Sequence, residues 1–543
     1  MKRFAAFAAL AFLATGAFAS GTQRYLVATQ HPFHAGTLAG IAKEARQGLE
    51  LRGAEGFGEA FDGFAADLTA DEVAELKRNS NVRWLEPVVE RHAFAQPSRN
   101  PQIQTVPYGI DLIHARDVWP AQHNTTTNVV VIDSGVDYRH SELQRVWAGG
   151  YNFIAKNDNP LDDAGHGTHV AGTIAAANNN DGVVGVAPDI RLWGLKVLDS
   201  SGTGSSENTI RAIDWVIAKK KELGGNWVVN LSLGSPDSST AEREAFKRGI
   251  TAGLLIVAAS GNSSTADTVA PVSFPAAYDN VVAVGAIDDA LQLASFSNQG
   301  PQLDFVGPGI DVLSTLPLGF GSRASVSASS ALYGASALTG AKIGTVTAEY
   351  VNCGLGKPEE IPASVAGKIA LIKRGELRFA EKTRNAMAAG AAAVVIFNND
   401  STSISGFTLI NDDDPAAHTT NWPVAVALTK GDGEALVARG GGTITVSNIS
   451  DDYGYYSGTS MASPHVAGAA ALVWSTIPSA SAADIKAALA ATATDLGPAG
   501  FDNTYGSGLV NAYEAAKRLA PGAFPPVVTP TTPTTGRRIL KRG

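Results

Sequence analysis

A serine set among small residues stands directly before a long apolar run, in Gly458-Thr459-Ser460-Met461-Ala462-Ser463-Pro464-His465 followed by VAGAAALVW at 466–474. The run reads as a buried helix, so Ser460 falls at or near its N-terminus, where unpaired amides and the helix dipole favour developing negative charge. Pro464 fits a first helical turn. Alone, such a serine is more often a plain N-cap. Two further motifs change that reading. Asn128-Val129-Val130-Val131-Ile132-Asp133-Ser134-Gly135 is a continuous apolar strand that ends on an acid and a glycine turn, where open α/β sheets hold their chemistry. In Gly165-His166-Gly167-Thr168-His169-Val170-Ala171-Gly172-Thr173 a histidine between glycines opens another small-residue helix. Singly, Asp133 reads as a strand-end cap and His166 as a helix-capping residue. A serine is a weak nucleophile and needs a base within hydrogen-bond reach, which is what the three together supply.

In chain order Asp133, His166 and Ser460 match the subtilisin version of the catalytic triad. The sequence around all three resembles the subtilisin-like serine protease family, the subtilases. That resemblance implies an α/β chain with the three-layer subtilase fold around a parallel central sheet. It implies His166 as general base, Asp133 as the group that fixes its tautomer, and Asn262, in Ala258-Ala259-Ser260-Gly261-Asn262, as side-chain donor to the oxyanion. Ser232, Leu233 and Gly234 resemble one wall of the primary specificity pocket, with Ala258, Ala259, Ser260 and Gly261 as the other. Gly202-Thr203-Gly204 is similar to the edge strand that pairs with extended substrate. Two rival chemistries fit less well. The esterase elbow GxSxG orders its triad serine, acid, histidine, and only His465 follows Ser460, too close along the helix to serve. His166 and His169 with Asp133 could suggest a metal site, but no cysteine or further histidine completes a tetrahedral set, which leaves His169 a core or hydrogen-bonding role.

The chain has 543 residues, 45% hydrophobic and 17% charged, with 57 glycines, which suits a compact, loop-rich α/β enzyme. A net charge of −9 argues against nucleic acid as a partner and leaves protein or peptide substrates. Lys2 and Arg3, an apolar run at 4–18 and Ala17-Phe18-Ala19 before Ser20 read as a secretory signal peptide at 1–19, too short to span a membrane. The expected localisation is extracellular or cell envelope, and no other stretch reads as transmembrane. Cys353 is the single cysteine, so no intrachain disulfide forms, and it reads as a small buried hydrophobe.

Residues 20–94 read as a small α+β module: a strand at 25–29, a helix at 37–51, a strand at 59–68, a helix opened by Thr69 and Glu72 in capping-box spacing, and a strand at 82–90. Phe61-Asp62-Gly63-Phe64-Ala65-Ala66-Asp67-Leu68 resembles the subtilase inhibitory propeptide, which implies that the chain's own propeptide serves as inhibitor and folding aid. The family's propeptide tail lies along the cleft, which implies Phe94 in the primary pocket. Residues 95–318 and 452–520 read as two parts of the catalytic domain. A structureless loop of the intervening length is implausible, so 319–451 must be an inserted domain. Its segments Gly367-Lys368-Ile369-Ala370-Leu371-Ile372-Lys373-Arg374-Gly375 and 389–399 resemble a protease-associated (PA) domain. Residues 521–543, Pro- and Thr-rich and ending basic, read as a disordered tail.

The loop Ala177-Asn178-Asn179-Asn180-Asp181-Gly182-Val183 resembles the family's strong calcium loop. The implied ligands are the side chains of Gln104 and Asn179 and the carbonyls of Ala177, Asp181 and Val183. Where the family has an aspartate this chain has Glu142, one methylene longer. Without the metal, the same residues read as an Asn-rich turn. The resemblance thus implies a secreted, calcium-stabilised serine endopeptidase made as a zymogen, with no organic cofactor. The rival from another class is a catalytically silent protein that holds peptides.

Overall fold

A computed structural model describes residues 22–30, 41, 51–57, 59–93, 96–98, 104–122, 126–328, 331–400, 407–410 and 414–524. The expected signal peptide, the helix expected at 37–51 apart from Ile41 and Leu51, Phe94 and residues 525–543 lie outside the described residues.

Seven parallel strands form the central sheet, in the order Leu303–Pro308, Val282–Ile287, Leu254–Ala259, Asn226–Leu231, Thr127–Asp133, Arg191–Lys196, Trp147–Asn152. Every residue of Thr127–Asp133 and Leu254–Ala259 is buried, as expected of parallel strands covered on both faces. The chain builds first from Thr127–Asp133 toward Trp147–Asn152, then crosses to Asn226–Leu231 and proceeds the other way. The order therefore reverses between Thr127–Asp133 and Asn226–Leu231, and a crevice opens at such a switch point beyond the C-terminal strand ends. Helices His166–Ala175 and Thr459–Thr476 pack together on one face; Ser206–Leu223 and Thr240–Thr251 pair on the other. These are the three layers that the resemblance implies.

The Thr459–Thr476 helix is buried from Thr459 through Ser475, as an all-round apolar helix must be. It begins seven residues before the apolar run, so Pro464 lies inside it rather than in its first turn. Proline has no N–H to give the carbonyl four residues back. That carbonyl is Ser460's, and Ser232 Oγ donates to it instead at 2.7 Å.

The N-terminal module is a four-stranded sheet ordered Arg52–Phe57, Gly63–Thr69, Thr22–Thr29, Val82–Pro87, with all pairs antiparallel. The capping box at Thr69 and Glu72 forms as the spacing predicts. Two expectations need correction. The strand expected at 59–68 is shorter, Gly63–Thr69, and is preceded by Arg52–Phe57, whose sequence RGAEGF carries too little apolar alternation to announce a strand. The strand expected at 82–90 breaks after Pro87, which has no N–H for the ladder, and the chain leaves the module to form Glu90–Ala93 elsewhere.

The insert closes as a seven-stranded barrel, from Gly321–Ala328 round to Thr443–Asp451, which pair antiparallel with Gly321 opposite Asp451. Inside it the expected strands and helix appear as Ile369–Lys373, Phe379–Ala388 and Ala393–Phe397. Cys353 is buried there, and burial pushes its thiol up to about 11. At the other end, Pro521–Ala523 forms a 3-10 turn and Phe524 packs edge-on against Tyr513 at 5.4 Å, so ordered chain reaches past Pro521, the expected start of the tail.

Candidate active site

Asp133 ends its strand fully buried, and His166 is the first residue of its helix. His166 Nδ1–H donates to Asp133 Oδ1 at 2.6 Å, and the same oxygen accepts Ser134 N–H at 2.7 Å. This fixes the imidazole with Nε2 as its free lone pair, and Nε2 makes no hydrogen bond among the described residues. The approach depends on Gly167: a Cβ there would stand 2.1 Å from the Gly135 carbonyl oxygen and 3.2 Å from Asp133 Oδ1. Asp162, which the sequence reading missed, caps this helix. Its Oδ1 accepts from Gly165 N at 2.9 Å and Ser134 Oγ at 2.8 Å, and its Oδ2 accepts from Thr168 N at 2.9 Å. An acid four residues before a glycine-flanked helix start was the available signal. His169 is a core histidine. It stacks on Tyr456 at 4.5 Å and its Nε2–H bonds the carbonyls of Val312 at 2.9 Å and Gly454 at 3.1 Å.

Ser460 is the second residue of its helix and fully buried. Its hydroxyl donates to the Ser232 carbonyl at 2.9 Å. Asn262, half-buried, accepts at Oδ1 from Thr459 N at 3.0 Å and Thr459 Oγ1 at 2.7 Å. With Oδ1 held this way, Nδ2 on the opposite side of the amide is left as a donor. The sequence reading missed Thr459 as the residue that orients Asn262.

The two expected substrate-contacting strands are brought side by side with a third between them. Glu90–Ala93 pairs antiparallel with Thr203–Ser205 on one side and with Leu233–Gly234 on the other, with His92 opposite both Thr203 and Gly234. The expected edge strand Gly202–Gly204 is shifted by one: Gly202 sits in the preceding turn, its N–H bonded to Asp199 O, and Ser205 completes the strand. Ala258 and Ala259 end their strand, and Ser260 and Gly261 follow, all buried. Further along the chain, strand Gln96–Ser98 pairs with Tyr453–Ser457, which leads directly to Ser460.

The six residues expected to hold calcium are joined by direct hydrogen bonds. Gln104 Nε2 donates to Ala177 O at 2.9 Å and Asn179 Oδ1 at 3.2 Å, and Asn179 Nδ2 donates to Glu142 Oε2 at 3.0 Å. Val183 N–H also bonds the Glu142 carboxylate, Asp181 N–H bonds Asn179 Oδ1 at 2.9 Å, and burial pushes the Glu142 carboxyl up to about 7. The side-chain types are the hard-oxygen kind that calcium takes, while Gln104 and Asn179 here turn their amide nitrogens toward Ala177 O and Glu142 Oε2. Tyr453 donates to the other carboxylate oxygen, Glu142 Oε1, at 2.9 Å.

A doubly covered parallel sheet with an Asp–His pair at one strand end and a serine helix across the switch point defines the subtilase class, and this chain belongs to the subtilase family. The Subtilase family model matches residues 124–350 and the PA domain model residues 344–436. The chain is 43% identical over 222 residues to Subtilisin of Bacillus pumilus, covering 40% of this chain and 77% of that protein. It is 41% identical over 263 residues to Subtilisin E of Bacillus subtilis (strain 168), 47% of this chain, and so spans 64% of that relative's length. The solved structure of the psychrophilic subtilisin-like protease Apa1 from the Antarctic psychrotroph Pseudoalteromonas sp. AS-11 is similar at 32% identity and a TM-score of 0.56, covering 78% of this chain and 100% of that one.

Proposed function

We propose that the protein is a secreted serine endopeptidase, made as a self-processing precursor whose residues 20–94 occupy its own cleft. The observation that carries this reading is the strand Glu90–Ala93, held as the middle strand between Thr203–Ser205 and Leu233–Gly234, the latter following Ser232, whose carbonyl accepts the Ser460 hydroxyl. An extended peptide in that place presents its next carbonyl to the serine.

In this reading Ser460 Oγ turns from the Ser232 carbonyl to His166 Nε2, which takes its proton as Oγ attacks the scissile carbonyl carbon. Asp133 Oδ1 holds the imidazolium that forms. The new oxyanion accepts hydrogen bonds from Asn262 Nδ2 and the Ser460 backbone N–H. His166 then gives its proton to the departing amine, leaving an acyl-enzyme that water hydrolyses by the same relay. Gln104, Ala177, Asn179, Asp181, Val183 and Glu142 would hold one calcium ion, whose role is to stabilise the folded state. First cleavage falls after Phe94 or within the next few residues, before Gln104, because Gln104 must remain to reach the 177–183 loop.

The test is Ser460→Ala expressed without other proteases. The chain should fold, accumulate with residues 20–94 attached, cleave no peptide and resist an active-site serine reagent that labels the unsubstituted enzyme. Undiminished cleavage by the variant would end the assignment. Failure of the unsubstituted protein to take the reagent would favour the silent peptide-binding alternative.

A further inference from the structure

In the strand that fills the cleft, Arg91 points the opposite way from the exposed His92, as strand alternation requires. Its side chain is 0% exposed, and so is that of Glu242, its partner. Nε donates to Glu242 Oε1 at 3.2 Å, Nη2 donates to Glu242 Oε2, and Nη1 donates to Ser235 Oγ at 2.7 Å, Asp237 O at 3.3 Å and Glu90 O at 3.1 Å. This is a fork-on-carboxylate pairing, fully desolvated.

Apart from Glu90, every group that receives Arg91 belongs to the catalytic domain and stays when residues 20–94 leave. Glu242 stands in the first turn of Thr240–Thr251, where its N–H is capped by Ser239 Oγ at 3.1 Å. The Tyr278 hydroxyl accepts Ser239 N–H at 2.7 Å and shares its proton between Ser239 O and Glu242 Oε2, each at 3.0 Å, so the carboxylate is held from behind and offers its other lone pairs to the pocket. Any peptide taking the same antiparallel register with Thr203–Ser205 and Leu233–Gly234 sends its equivalent side chain into this pocket. A neutral side chain there strands a buried carboxylate without its counter-charge, which is strongly unfavourable.

We propose that the pocket floored by Glu242 is a substrate subsite that selects arginine, at the fourth residue before the scissile bond when cleavage follows Phe94. Lysine is the weaker ligand, because an ammonium cannot span both carboxylate oxygens and Ser235 Oγ in one plane. The proposal rests on the endopeptidase reading.

The test uses enzyme matured from the full chain and four chromogenic peptides that share Phe before the scissile bond and differ only in Arg, Lys, Gln or Leu three residues earlier. Arg should exceed Leu in kcat/KM by roughly 30-fold or more, with Lys between. In Glu242→Gln the Arg-to-Leu ratio should fall to about threefold or less. Equal cleavage of the Arg and Leu peptides overturns the subsite while leaving the endopeptidase reading intact, and so does a ratio that Glu242→Gln does not change. Cleavage of none of the four by protein that has shed residues 20–94 overturns both. Should Glu242→Gln fail to mature because Arg91 loses its seat, the peptide series on the unsubstituted enzyme decides alone.

Discussion

Tyr453 and Glu142 are joined by a 2.9 Å hydrogen bond between the strand that returns from the barrel and the carboxylate that faces the 177–183 loop. The same strand, Tyr453–Ser457, pairs with Val312–Thr315, stacks Tyr456 on His169 and runs into the helix that carries Ser460. The two parts of the catalytic domain, separated in sequence by the barrel, are thus tied together at the loop cluster.

Calcium removal should therefore lower thermal stability. A ligand that binds only the folded state at a hundred times its Kd contributes about 2.7 kcal/mol, worth about 4 °C for a domain of this size. The matured enzyme in chelator should show that drop, reversed by calcium and not by magnesium, which prefers a rigid octahedral, partly hydrated site. An unchanged midpoint in protein from which calcium has been measured as stripped would count against the metal.

Asn262 and Thr459 make a paired prediction. Asn262→Ala removes an oxyanion donor and should lower kcat roughly a hundred-fold or more with KM little changed, since the donor acts on the transition state. Thr459→Val leaves that donor in place but removes the 2.7 Å hydroxyl bond to Asn262 Oδ1, so the loss in kcat should be smaller and again without a KM change. A pure KM effect in either variant would remove Asn262 from the oxyanion.

The residues of the candidate site stand out in the sequence because each sits in a short local signature: an apolar strand ending in acid and glycine, a histidine between glycines, a serine opening an apolar helix. What stayed hidden is pairing across distance. Nothing near Arg91 announces Glu242, and nothing near Glu142 announces Tyr453; only the tertiary fold brings each pair together. Pro464 misled for a related reason. A proline argues for a helix start unless another element supplies the missing donor, and Ser232, far away in sequence, does so. The Arg52–Phe57 strand was missed because its pattern comes from its neighbour Gly63–Thr69 and not from its own residues.

Acid should destabilise the fold through two buried histidines. Burial pulls His169 down to about 3 and His465 down to about 4, from an ordinary value of 6.5. Both rings stay neutral in the native state while the unfolded chain takes up protons below 6.5. Stability present above pH 6.5 is therefore lost as pH falls toward 4, at about 1.4 kcal/mol per pH unit for each ring. Urea midpoints of the Ser460→Ala chain, which does not digest itself, should show this descent. Adding His465→Gln should make the slope between pH 6 and pH 4.5 shallower by about one proton. Parallel slopes would show that His465 does not contribute.

Removing the barrel should leave the chemistry in place. Gly321 and Asp451 are cross-strand partners, so the chain enters and leaves the barrel at points about 5 Å apart, and a short glycine linker can replace 321–451. Asp452 must stay, because its carbonyl accepts Leu316 N–H at 2.7 Å and its carboxylate accepts Gly319 N–H at 2.7 Å. Asp133, His166, Asn262 and Ser460 all lie outside the deleted stretch. Small chromogenic peptides should be cleaved with kcat/KM within about tenfold of the full enzyme, a change of about 1.4 kcal/mol at most in transition-state stabilisation. The choice among large folded proteins should shift, because the barrel stands beside the strand that leads to Ser460 and limits what can approach. A deletion that folds with the unsubstituted enzyme's calcium response yet cleaves no peptide would show that the barrel helps to build the site itself.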